Sequence, residues 1–220
     1  MLLLFDIDGT LLIDAAATHA EAMITSMEST YGVDGLHAGD IEVAGYTDPQ
    51  IARHYLTLAG VPADTIDARL DDLRMAAVEA FARLCPPSLS EFLNPGITAV
   101  LDQLTSEHRI SLVTGNFEPI ARLKLKRAGI GHHFAAGQGG FGSDSEDRAA
   151  LPPIARHRAG DWPREQTVVI GDTPHDIACA HADGVRVIAV ATGPYLASEL
   201  SKADVVVHHA DDIPDAVASL

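Results

Sequence analysis

Three short stretches carry polar groups of complementary kinds, each directly after an apolar run: carboxylates in Asp6-Ile7-Asp8-Gly9-Thr10 and in Gly171-Asp172-Thr173-Pro174-His175-Asp176, and a hydroxyl, a glycine and an amide in Thr114-Gly115-Asn116. Carboxylate and carbonyl oxygens are hard ligands suited to Mg²⁺, which is often held by one or two carboxylates together with a substrate phosphate. The Thr114 hydroxyl and the N–H groups of Gly115 and Asn116 could take phosphoryl oxygens and stabilise charge as it shifts. Asp6 or Asp8 could act as nucleophile and form an aspartyl phosphate, while a second acid protonates the leaving oxygen and later activates water. Taken alone, the first stretch also reads as a capped strand end, because Asp-Gly after an apolar run is a common turn signal.

These residues meet only if the strands before them lie side by side. The runs 2–5, 110–114, 167–170, 186–190 and 205–207 read as buried strands,. Helical patterns fall between them. One runs from Ile97 to Leu104, one from Pro119 to a left-handed stop at Gly129, one from Arg148 to Ala159, and one from Ile177 to Asp183,. This βαβα order predicts an α/β protein with a Rossmann-like, mostly parallel sheet, whose ligands sit outside the carboxyl ends of the strands. Residues 133–136 read as one more short strand. The run 137–142 matches G-x-G-x-x-G by letter, but Asp144, Glu146 and Asp147 follow it and would repel a pyrophosphate, so it reads as a flexible loop,.

Residues 13–87 differ in composition, being rich in Ala, Met and Glu, with apolar residues at helical spacing such as Ala20, Met23, Ile24 and Met27,. Breaks at 32–39, 45–49 and 60–62 divide this stretch into about four helices, ended by Cys85-Pro86-Pro87,. It therefore reads as a helical domain (13–87) inserted into an α/β core formed by 1–12 and 88–220. Its Met and Leu stripes read as helix packing.

The totals narrow the function. The 220 residues carry a formal charge of −16, without the basic stripe that neutralises nucleic-acid phosphates, so nucleic acid is not an expected partner,. A phosphorylated ligand would need a local metal ion or cationic side chain to reverse the sign. No apolar run approaches the roughly 20 residues that cross a bilayer. Cys85 and Cys179 match no metal-ligand spacing, and no basic segment precedes the first strand, which points to free thiols in the cytoplasm,. The adjacent pairs His132-His133 and His208-His209 would point to opposite strand faces and are not expected to hold metal.

Together the three stretches resemble motifs I, II and IV of the haloacid dehalogenase-like hydrolases, in order and across nearly the whole chain. The resemblance implies Asp6 as nucleophile, Asp8 as general acid and base, and Thr114 as phosphate ligand. It also implies Mg²⁺ bound by Asp6, the Asp8 carbonyl and Asp172, with Asp176 supporting the metal. The helical insertion resembles the C1-type cap of the phosphoglycolate phosphatase and β-phosphoglucomutase branch, in which the cap reads the leaving group. Thr47 and Asp48, within 45–49, then become candidate specificity residues, although either is also a good N-cap before Pro49,.

The third motif departs from the family, which usually places a Lys there. Arg148 is the only cation between Gly142 and Leu151 and is taken as the replacement, able to bind phosphate bidentately,. Lys124 and Lys126 are the fallback, read otherwise as solvated helix ends. The expected function is a Mg²⁺-dependent phosphatase for a small phosphomonoester, since dehalogenases of the superfamily lack the second motif I Asp. The alternatives are a phosphoglucomutase-like transfer and a phospho-accepting binding protein akin to a receiver domain.

Overall fold

In the computed structural model, which describes residues 1–39 and 42–220, the central element is β1 (Leu2–Phe5), with all four side chains at 0% exposure. It pairs in parallel with β2 (Arg109–Thr114) on one side and β4 (Thr167–Gly171) on the other. With β3 (Gly140–Phe141), β5 (Arg186–Val190) and β6 (Val205–Val207), these form one parallel sheet in the order β3-β2-β1-β4-β5-β6. Strand β1 is covered on both faces, which is why it carries four consecutive apolar residues instead of alternating. Leu3 and Phe5 join the core formed with α5 (Ile97–Glu107), α6 (Glu118–Ala128) and α9 (Ile213–Ser219). Leu2 and Leu4 face α7 (Leu151–Arg158) and α8 (Pro174–Asp183). The strand order reverses direction between β1 and β4, so the crevice that suits a ligand opens at their carboxyl ends,.

Among the described residues four α-helices lie between β1 and α5: α1 (Ala17–Tyr31), α2 (Asp48–Leu58), α3 (Ala63–Ala68) and α4 (Leu70–Leu84). They are divided differently from the expectation. The piece between Gly39 and Gly45 forms no helix among its described residues, with Asp40 and Ile41 outside them, and the extra helix arises from a break at Arg69. Helices α1 and α4 pack together through Met23, Met27, Leu73, Ala77 and Phe81, in the same apolar cluster as Phe5 and Ile7. The inserted helices and the sheet thus share one core.

Local signals explain most boundaries. Helix α6 has Pro119 in its first turn and stops at left-handed Gly129,. Two expectations are corrected. Residues 131–133 form a 3-10 turn, not the start of a strand, and the strand lies seven residues later, inside the glycine run read as a flexible loop. Gly140 and Phe141 are buried and pair with Val113 and Thr114, so the edge of β2, not local propensity, makes them a strand,.

Phe5 also meets the Phe134 ring edge-on at 6.4 Å. Phe5→Ala is expected to lower the unfolding free energy by about 3–5 kcal/mol in urea titration. A loss under about 1 kcal/mol would mean that the sheet core is not anchored on this strand.

Candidate active site

Asp6 follows the last residue of β1, and its N–H continues the sheet to the Ile170 carbonyl at 2.9 Å. The chain then turns sharply, with the N–H groups of Leu11 and Leu12 both donating to the Ile7 carbonyl at 2.9 Å. Gly9 makes this possible. Its φ is +84°, and a Cβ there would lie on the Asp172 carboxylate,. The turn is tied from outside by Thr192, whose hydroxyl donates to the Gly9 carbonyl at 2.7 Å, and by Asn94, whose amide donates to the Thr10 carbonyl at 2.8 Å. The Thr10 hydroxyl donates to Asp172 at 3.0 Å, joining the ends of β1 and β4.

Asp6, Asp172 and Asp176 converge, each buried, with carboxylate oxygens within 4.8 Å of one another. Asp176 has a second task. In a capping box at the start of α8 its Oδ2 accepts from the N–H and hydroxyl of Thr173 at 3.0 and 2.7 Å,. One cation faces the three acids: Arg148 Nη2 lies 2.5 Å from Asp176 and 3.4 Å from Asp6. Its Nε is buried without a partner, so the guanidinium keeps donors to spare,. The charge is therefore unbalanced, three carboxylates against one guanidinium. Burial, with Asp176 and Asp8 nearby and despite Arg148, pushes the Asp6 carboxyl up to about 7. Burial beside Asp176 and Asp6 raises Asp172 well above the usual range. A cluster of hard oxygen donors with this charge deficit fits a divalent cation bound by Asp6 and Asp172, with Asp176 behind them.

Asp8 is set differently. Burial alone would raise its carboxyl, but Lys124 and His19, with hydrogen bonds from Lys124 and Asn116, hold it below the ordinary carboxylate value. Lys124 Nζ donates to both Asp8 oxygens at 2.8 and 2.6 Å, to Asn116 Oδ1 at 2.9 Å, and lies 3.2 Å from Nδ1 of His19. The reading of Lys124 as a solvated helix end is thus corrected: it has no exposure at all. Lys126 does lie on the surface. Position was the overlooked signal, since Lys124 shares the buried stripe of α6 with Ile120, Ala121, Leu125 and Ala128,. His19 was also missed, and it sits in the buried stripe of α1.

Thr114, at 1% exposure, and Gly115 line the same pocket. Asn116 lines it too, but its amide is occupied, donating to Asp8 at 3.0 Å and accepting from Lys124. The two cap candidates are drawn into structure. Thr47 caps α2 in a capping box with Gln50, and its hydroxyl donates to the Glu146 carbonyl at 2.8 Å, so it is buried away from the pocket. Asp48 reaches the pocket wall, yet its Oδ2 accepts the Phe117 N–H at 2.6 Å and lies 3.2 Å from His19 Nε2. The inserted helices are held on the core through these contacts.

The match to known proteins follows the same outline. A family model described as haloacid dehalogenase-like hydrolase matches residues 3–181. The chain belongs to the haloacid dehalogenase-like hydrolases. A second model, described as HAD-hydrolase-like, matches residues 148–220 of this family member. No curated protein matches the chain. Among solved structures it resembles a predicted phosphatase from Clostridium acetobutylicum, with TM-score 0.73 and 17% identity over 100% of this chain and 98% of that one. It also resembles the β-phosphoglucomutase of Clostridium difficile, with TM-score 0.71 and 16% identity over 99% and 97%. CbbY from Rhodobacter sphaeroides, solved in complex with phosphate, gives 0.70 and 21% over 100% and 99%. At these identities the likeness is one of fold. No helix among the described residues is long and apolar enough to cross a membrane.

The raised carboxyls make a pH prediction. A group whose folded pKa exceeds its ordinary 3.8 binds its proton more tightly in the folded state, so its stabilisation is complete below that value and is lost as the pH climbs to about 7,. Metal-free protein should therefore lose thermal stability across this window, and adding Mg²⁺, which binds the ionised acids, should flatten the slope. Stability of the metal-free protein that rises from pH 4 to 7 would contradict this charge assignment.

Proposed function

We propose that the protein is a Mg²⁺-dependent phosphatase for a small phosphomonoester, working through an aspartyl phosphate. The observation that carries this reading is the contrast between the two motif I acids. Asp6 lies in the unbalanced cluster beside a guanidinium with free donors, while Asp8, two residues on, is held ionised by Lys124. Carboxylates with different partners, one facing the cluster that fits a cation and the other paired with Lys124 and Asn116, can take separate roles,.

In this reading Asp6 attacks phosphorus, the bond to the leaving oxygen breaks, and the phosphoryl group passes to the Asp6 carboxylate. Arg148 and the Thr114 hydroxyl hold the phosphoryl oxygens, with the turn at Gly115 and Asn116 behind them. Mg²⁺, held by Asp6 and Asp172 with Asp176 behind, would neutralise charge and keep Asp6 ionised. Asp8 is a carboxylate in this geometry, the form that takes a proton from water when the aspartyl phosphate is hydrolysed. For the first step it must carry a proton, and a phosphoryl group arriving with its own negative charge raises the affinity of Asp8 for one. Cys179, the other nucleophilic side chain against Arg148, is pushed up to about 12 by burial and stays a neutral thiol. Two free, buried cysteines fit a reducing compartment such as the cytoplasm,.

Purified protein is expected to release phosphate from an aryl phosphate with Mg²⁺, and Asp6→Asn to abolish the release while leaving the circular dichroism unchanged. Normal turnover by Asp6→Asn would refute the nucleophile assignment. Recovery of the phosphoryl group on a second substrate hydroxyl, not in water, would identify a mutase.

A further inference from the structure

The pocket above the acid cluster has a volume of about 440 Å³, within the range of small-molecule sites,. Its two ends differ in chemistry. Asp6, Asp8, Thr114, Arg148 and Asp172 form the end on the core. The lining away from them is mainly apolar: Ala20 and Ile24 of α1, with Val43 and Ile51, are half-buried there, and Met23 and Met27 lie behind them at 3% and 0% exposure. Ala20, Met23, Ile24 and Met27 lie at i, i+3, i+4 and i+7, the stripe expected only to pack helices, and it also faces the cavity.

Polar groups on this side are few. His19 Nδ1 lies against Lys124 and the Asp48 carboxylate accepts the Phe117 N–H, so the Tyr46 hydroxyl and the O–H of Tyr55, whose oxygen accepts the Gly39 N–H at 3.2 Å, are the main donors left to a ligand. Arg148 is the sole arginine or lysine among the described lining residues and stands at the phosphoryl end, the lining His19 is engaged by Lys124 and Asp48, and the exposed Asp14 adds negative charge. A leaving group with its own carboxylate would be buried without a countercharge, and a sugar would bring several hydroxyls against apolar groups. Each hydroxyl left unpaired weakens binding by about five- to 150-fold. An alkyl or aryl group, by contrast, brings no polar group to be left unpaired, and the flexible methionines behind the lining can adjust to its shape.

We propose that the substrate is a phosphomonoester of an apolar, uncharged alcohol, with its alkyl or aryl group lying along α1. The inference rests on the phosphatase reading for its phosphoryl end, but it can be tested without turnover. Binding of methyl-, propyl- and hexylphosphonate to the Mg²⁺-loaded protein is expected to tighten by about three- to fourfold per methylene, as burial of each CH₂ contributes. Butylphosphonate should bind at least about tenfold more tightly than 3-phosphonopropionate, whose carboxylate finds no partner. Ala20→Phe should shrink the hexyl-to-methyl ratio by filling the cavity, and if that variant misfolds, the wild-type series still decides. A flat series, or tighter binding of the carboxylate, overturns the proposal. Hydrolysis of alkyl phosphates distinguishes the two readings: a steep binding series without turnover keeps the apolar pocket and sinks the phosphatase, whereas turnover with a flat series does the reverse.

Discussion

Burying three carboxylates and a guanidinium at the end of a hydrophobic strand is the constraint on which the rest of this structure depends. Such a cluster is costly in a medium that solvates charge poorly, and it persists because surrounding groups fix every member. Thr10 holds Asp172, Thr173 holds Asp176, and Arg148 spans Asp176 and Asp6. The β1 turn can pass over this group only because residue 9 has no side chain. The sheet supplies the rigidity. With β1 paired on both sides and packed on both faces, the carboxyl ends of β1 and β4 have little freedom to separate and relieve the repulsion.

The second buried charge system has its own hydrogen-bond partners, although the Asp8 charge still acts on Asp6. Lys124 spends its donors on Asp8, Asn116 and His19, leaving Arg148 to the acid cluster. Two carboxylates two residues apart thus occupy opposite electrostatic settings. The Lys124 system also extends outward, because His19 approaches Asp48, whose carboxylate accepts the Phe117 N–H. Helices α1 and α2 are therefore fastened to the same group of side chains that sets the charge of Asp8.

Much of this arrangement is legible in the sequence where local chemistry and position agree. The apolar runs of β1, β2 and β4 end at Asp6, Thr114 and Asp172, so strand and site announce each other. Proline and glycine mark both ends of α6. What stays hidden depends on distant partners. Gly140 and Phe141 become a strand only because β2 offers an edge, and nothing local distinguishes them from a glycine-rich loop. Lys124 resembles any lysine near a helix end until its place in the apolar stripe is weighed against its charge. The Met stripe of α1 carries two tasks in one pattern, since helical spacing does not tell packing against a neighbour from facing a cavity.

The contact at Gly115 has a wider consequence. A Cβ at this position would run into the Tyr46 carbonyl, and the Gly115 carbonyl accepts the Asp48 N–H at 2.8 Å. The inserted helices thus rest on the core main chain to main chain, at a separation that no rotamer can change. The depth of the cavity is consequently gauged by backbone, while much of its apolar lining comes from α1. Ala20 and Ile24 could be exchanged with that separation unchanged, whereas His19, on the same helix, is bound into the charges around Asp8.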